Sequence, residues 1–280
     1  MDAEVAGELR RGRDRQYPVL VLKRFSMSFP LDLAWLYASF LLSLRLAPVL
    51  LLTPVIGAAN VPGVVRGLLG LSLAALMTYG LGLRLALPAN GWVLAGQALT
   101  ELFIGAVLGF GVQCAFGALA FAGRLLDTQI GFGLSGVINP LTKQSGAAMG
   151  LAFELLAVAY VYAVNGHHML LQAMVFLLEA LPVGEPVSLL LAERALGQFG
   201  VLFALALSLA APLLIALFAI DVGVALISRS MPQFNAFVMA MPVKVGVGLA
   251  VLAVILPRLG GFFERWFASI LNYLASFQGS

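Results

Sequence analysis

The stretch 195-ALGQFGVLFALALSLAAPLLIALFAI-220 carries no charge from end to end. About 20 consecutive apolar residues suffice for a helix to cross the hydrocarbon core of a bilayer, and this run is longer than that. Pro212 inside it predicts a kink, and Asp221 follows it directly. Outward from this run the same pattern repeats. Apolar segments extend from Leu33 to Thr53, with Arg45 and Pro48, and from Val64 to Leu87, with Arg66 and Arg84 near its ends. Others run from Trp92 to Ala122, with Glu101 near the start, from Ala147 to Val164, with Glu154, and from Met169 to Leu181. Phe234 to Leu256 is the last strong segment, with Pro242 and Lys244 near its start, and Arg258 to Phe277 reads as an amphipathic tail helix. The sum is roughly six or seven bent hydrophobic helices. The short alternation expected of barrel strands is missing. The expected fold class is therefore all-α, a polytopic membrane protein.

Composition demands the same class. Hydrophobic residues make up 61% of the 280 positions and charged residues 10%, and the mean hydropathy is +1.02. Soluble domains are roughly 45–50% apolar and about 25% charged. One soluble core cannot hide this much apolar surface, so lipid or other chains must cover the rest. Net charge is +3, too small an excess to point to nucleic acid. Arg10, Arg11, Arg13, Arg15, Lys23 and Arg24 crowd the beginning, diluted by Asp2, Glu4, Glu8 and Asp14. Residues 1–30 thus read as a charged tail on a single helical membrane domain of residues 31–280, and no cleavable secretory signal is expected. The lone Cys114 reads as a packing residue.

Few residues suggest chemistry. His167 and His168 are the only histidines, they sit in the turn-like run Asn165-Gly166-His167-His168, and no Cys or acidic cluster adjoins them. No P-loop, zinc or serine-hydrolase motif is present. No cofactor or metal is expected, and no catalytic residue. Glu101, Glu154 and Glu179 read either as a proton relay or as subunit contacts. Asp221 and Lys244 lie beside apolar sequence, where a lone charge is costly unless paired, hydrated or snorkelled. They read as polar intramembrane residues at helix ends or in a polar contact. Small residues recur four apart at Gly63/Gly67, Gly105/Gly109 and Gly146/Gly150. Such pairs let helix backbones approach closely, and Gly105 and Gly109 are the packing candidates.

A glycine-rich interruption separates the third and fourth segments, Gly131-Phe-Gly-Leu-Ser-Gly136 running into Asn139-Pro140-Leu-Thr-Lys-Gln-Ser-Gly146. Glycine freedom and the restriction before proline predict non-helical backbone here. Irregular backbone at membrane depth survives only when buried in protein or facing a water-filled cavity. Gly133, Gly136 and Asn139-Pro140 suit a constriction, with Leu134, Val137, Ile138 and Leu141 sealing it. The plain alternative is a surface loop between two helices.

Three ordered groups of motifs carry a resemblance. The first is Arg45-Leu-Ala-Pro48, Pro54, Val61-Pro62 and Arg66. The second is Gly123-Arg-Leu-Leu-Asp-Thr-Gln-Ile-Gly131, Asn139-Pro140-Leu-Thr-Lys-Gln144, Asn165-Gly166-His167 and Leu181-Pro-Val-Gly184. The third is Ser230-Met-Pro-Gln-Phe-Asn235-Ala-Phe and Met241-Pro-Val-Lys244. In order and spacing the chain resembles the FliR/SctT family of type III export-gate proteins, from about residue 33 to 265. The resemblance implies an all-helical subunit that assembles with FliP-like and FliQ-like subunits into a pore-containing gate, joined by an FlhB-like switch subunit. It implies passage of unfolded export substrates across the bacterial inner membrane, within the basal body, driven by the proton motive force and a separate ATPase. It also implies that the loop from about Ser135 to Gly146 is a pore plug. The plug positions are Gly133, Leu134, Ser135, Gly136, Val137, Ile138, Asn139, Pro140, Leu141, Lys143 and Gln144. Many flagellar members carry Glu where this chain has Arg124, so no acidic role is transferred there.

The leading expectation is a non-enzymatic subunit of the flagellar export gate. The alternatives are the corresponding subunit of a virulence injectisome and a small-solute secondary transporter, whose broken helices would form a midplane site.

Overall fold

The computed structural model describes residues 32–54, 61–131, 148–186, 190–230 and 236–279. The charged tail of residues 1–30 lies outside them. Eight α-helices carry the described chain: α1 (Leu33–Leu52), α2 (Gly63–Leu81), α3 (Gly91–Ile130), α4 (Ala148–Ala163), α5 (Gly166–Ala180), α6 (Leu190–Ser230), α7 (Ala236–Ile255) and α8 (Leu259–Ala275). A 3₁₀ turn at Leu256–Arg258 joins α7 to α8, and another at Ser276–Gly279 follows α8. No strand occurs among the described residues. Five helical stretches are long and apolar enough to cross a membrane, or six if α4 and α5, bent by 73° at their junction, count as one broken span. This is an all-α, polytopic membrane protein.

The helix ends follow local chemistry, and several differ from the sequence expectation. The second apolar run was expected to reach Leu87, but α2 stops at Leu81. Gly82 adopts the left-handed conformation (φ 64°) and its N–H returns to Thr78 and Tyr79 carbonyls, an end that glycine makes without steric cost. The third run was expected to end near Ala122, but α3 continues through Gly123 to Ile130, where Gly131 (φ 100°) caps it on the Asp127 carbonyl. The expected turn at Asn165–His168 is shorter. Asn165 alone takes the left-handed conformation (φ 55°), and both histidines lie in the first turn of α5. Glu193 and Arg194 lie in the first turns of α6. Pro212 and Asp221 are both inside α6, which runs unbroken past the expected end at Ile220.

α3 is the centre of the bundle. It packs against α1, α4 and α6, with α8 and α7 touching it as well. Its buried residues recur on several faces, among them Glu101, Ile104, Leu108, Val112, Phe116, Leu119 and Leu126, as befits a helix hydrophobic all round. α2 is the opposite case, burying only Gly70, Ala74 and Thr78. The tail helix α8 turns one face inward with Phe262, Phe263, Trp266, Phe267, Ile270, Tyr273 and Leu274. Trp266 donates its indole N–H to the Ala115 carbonyl at 2.9 Å and Tyr273 its hydroxyl to the Val107 carbonyl at 2.8 Å. The amphipathic tail helix expected from Arg258 onward is thus a docked part of the core.

Candidate functional site

The glycines of α3 determine which neighbours reach it. A Cβ on Gly105 would collide with the backbone carbonyl of Arg45 in α1, and one on Gly109 would lie 3.0 Å from the Pro48 oxygen and 3.1 Å from the Val49 Cα. The Gly105/Gly109 pair therefore sits where the α1 backbone lies directly on α3, as small residues allow in membrane helices. Gly111 faces the Tyr273 ring of α8, and Gly123 faces Gly150 of α4. The pair Gly63/Gly67 meets nothing within 4 Å among the described residues.

Beside Gly105 lies a buried polar knot. Arg45 and Glu101 are 2% and 0% exposed and form a forked pair, Nε to Oε2 at 2.6 Å and Nη2 to Oε1 at 3.0 Å. Two further guanidinium hydrogens go to backbone carbonyls, from Nη1 to Leu181 at 2.6 Å and from Nη2 to Pro182 at 3.4 Å. The Gly184 N–H donates to the same carboxylate at 2.7 Å, and Gln97 donates to the Gly184 carbonyl at 3.0 Å and accepts from the Tyr37 hydroxyl. Buried ions persist only when paired and hydrogen-bonded to this degree. The knot ties α1 and α3 to the Leu181-Pro-Val-Gly184 turn after α5. Of the carboxylates considered for a relay, Glu101 is thus bound to Arg45, whereas Glu179 is exposed on α5 and Glu154 half-buried on α4.

A second polar contact joins α6 and α7, where Lys244 Nζ lies 2.5 Å from Asp221 Oδ1. The lysine is the better covered partner, at 18% exposure against 40% for the aspartate. The structure brings these two sequence candidates together.

A third contact was not anticipated. Asp127, 2% exposed near the end of α3, accepts the Met149 N–H at 3.0 and 3.1 Å and the Gly150 N–H at 3.2 Å. The plug positions Gly133, Leu134, Ser135, Gly136, Val137, Ile138, Asn139, Pro140, Leu141, Lys143 and Gln144 all lie in residues 132–147, outside the described residues. Asp127, Met149 and Gly150 lie within a few residues of the two ends of that segment. The His167 ring lies 4.3 Å from that of His168 and 5.2 Å from that of Tyr162, tilted against both. Among the described residues no three His, Cys, Asp or Glu side chains are close enough together to hold a metal ion.

The bundle of long apolar helices notched by glycine has counterparts. Residues 36–270 match the family described as bacterial export proteins, family 1. The chain belongs to that family. Among relatives of this export-protein family, the flagellar biosynthetic protein FliR of Escherichia coli K12 is 30% identical over 250 residues, covering 87% of this chain and 93% of its own length. The FliR protein of Bacillus subtilis is 27% identical, covering 78% and 86%. The Yop proteins translocation protein T of Yersinia pestis is 32% identical over a shorter match, 55% of this chain and 60% of its own length.

Arg45 and Glu101 carried a readable signal, since each is a lone charge in an apolar helix and requires a partner. What the sequence lacked was the pairing itself, across 56 residues of chain. Gly111 offered no such signal, because its partner ring stands at Tyr273.

Proposed function

We propose that this export-family protein is a non-enzymatic subunit of the flagellar type III protein export gate. With FliP-like and FliQ-like subunits it forms the inner-membrane channel of the basal body for unfolded flagellar proteins, with an FlhB-like subunit beside it. The observation that carries this reading is the match to the Escherichia coli FliR protein along 93% of that relative's length. The physical form agrees with it. Long apolar side chains stand exposed along α2 and α6, such as Val64, Leu68, Leu76, Leu196, Ile215 and Phe218, and need lipid or sister subunits as cover. The injectisome reading has the Yersinia relative in its favour, but that match spans 55% of the chain against 87% for the flagellar one.

In this reading the segment Gly133 to Gln144 is the pore plug, Gly105 and Gly109 seat α1 on α3, and the Asp221–Lys244 pair holds α7 to α6. The test is complementation. Expressed in a flagellated strain lacking its own FliR protein, the chain is expected to restore motility. A version lacking residues 135–146 is expected to assemble with the partner subunits and to leak ions or small solutes. Absence of motility rescue, with the chain present in the membrane and copurifying with no FliP-like subunit, would overturn the reading.

A further inference from the structure

We propose that the buried polar knot around Arg45 and Glu101 is a register lock, selecting which turn of α1 lies over the two glycine notches of α3. The inference is independent of the export-gate reading.

Gly105 meets the backbone of Arg45, and Gly109 meets Pro48, Val49 and Leu52. The two helices therefore run in the same direction with their backbones nearly touching. Such a seam carries little positional information. Its notches stand one turn apart, and each turn of α1 offers them a similar ridge of bare backbone. The side chains beside the ridge are also alike, with Leu41, Leu42, Leu44, Leu46 and Leu50 on successive turns. A slip of α1 by one turn, about 5.4 Å, returns backbone to notch and leucine to leucine.

The charged groups do not return. Glu101 stands one turn before Gly105, and only in the observed register does its carboxylate accept both Arg45 Nε and Nη2. Slipped either way, both ions are left among leucines, and an unpaired buried charge is strongly destabilising. A single buried polar position fixes register in coiled coils by the same logic, at a cost in stability. The turn after α5 belongs to the lock. Gly184 takes the left-handed conformation (φ 87°), which glycine adopts without steric cost, and its N–H donates to Glu101. The Leu181 and Pro182 carbonyls accept from Arg45, so a slip strips the turn of its partners as well. Tyr37 enters the same knot through Gln97, which also donates to the Gly184 carbonyl. The Ser39–Thr78 hydrogen bond, 2.7 Å, ties α1 to α2 instead. Because α2 packs on α1 rather than on α3, that bond travels with a slip and does not resist it.

The experiment reads register directly. Spin labels are placed at Leu36 of α1 and Gln113 of α3, both exposed, in the full chain, with Cys114→Ser removing the one native thiol. Distances are measured by pulsed EPR in the detergent-solubilised complex, with labelled chain diluted by unlabelled chain. At 1.5 Å per residue the two sites are about 26 Å apart along the helix axes. With the knot intact, one narrow maximum is expected. In Tyr37→Phe/Arg45→Met/Glu101→Leu, apolar groups of similar size replace the knot. Thermal stability is expected to be kept or raised, while the distribution splits into maxima about 5 Å apart. Glu101→Gln keeps an acceptor for Arg45 and is expected to melt lower yet to hold the single maximum. A single unshifted maximum in the triple variant would overturn the lock, because the glycine seam alone would then set the register. Failure of the triple variant to fold would overturn it too, because the knot would then be needed for the fold itself rather than for its register.

Discussion

At the scale of the residue, the Arg45–Glu101 pair is the most demanding element of the core. Both groups are almost wholly covered, and every nitrogen of the guanidinium reaches an oxygen. Removing one partner leaves an uncompensated buried charge, which costs about 3–5 kcal/mol. Arg45→Ala and Glu101→Ala are each expected to lower the thermal stability of the detergent-solubilised complex by that order. The double substitution is expected to be milder than the sum of the two, because no orphan charge remains. Full additivity, measured by melting the four proteins side by side, would contradict the pairing. The need for a partner was legible at both positions, because each interrupts an apolar run. The identity of the partner was not, since helical spacing relates residues three and four apart and says nothing across 56 positions. The same holds for Asp127, whose partners are the Met149 and Gly150 amides of another helix.

At the scale of the element, α3 is an axle with notches cut for different helices. Gly105 and Gly109 admit α1, Gly111 admits Tyr273 of α8, and Gly123 admits α4. Gly117, on the same helix, meets nothing within 4 Å. The two kinds of glycine are expected to respond oppositely to a methyl group. Gly111→Ala drives a Cβ into the Tyr273 ring and is expected to cost about 1–3 kcal/mol, the usual size of an overpacking defect. Gly117→Ala meets open space and is expected to be neutral or to gain up to about 1 kcal/mol from helix propensity. Detergent melts of the two variants check this. The recurring glycines of α3 were visible in the sequence, and the fourfold spacing singled out Gly105 and Gly109. It did not single out Gly111 or Gly123, because their partners are one ring and one backbone rather than a long facing helix. The same spacing also pointed to Gly63/Gly67, which face no described neighbour. Helix existence was legible from hydropathy, whereas the ends of α3 and α6 were not. Gly123 and Asp221 look like breakers, yet a helix embedded among others keeps its backbone bonds through both.

At the scale of the whole molecule, the decisive quantity is length. α3 has 40 residues and α6 has 41, and at 1.5 Å per residue each rod is about 60 Å long. The hydrocarbon core of a bilayer is about 30 Å thick. At the tilts of about 0–40° usual for membrane helices a rod of this size overreaches it, so part of each greasy helix emerges into water unless another protein sheathes it. The cell consequently has no safe way to stockpile this polypeptide. On the export-gate reading, copies made in excess of their companions are expected to expose that apolar surface and to be degraded. Pulse-chase labelling is expected to show a short half-life when the FliP-like and FliQ-like genes are silenced and a long one when all three are synthesised together. The rod lengths thereby make production of this chain hostage to the supply of its neighbours.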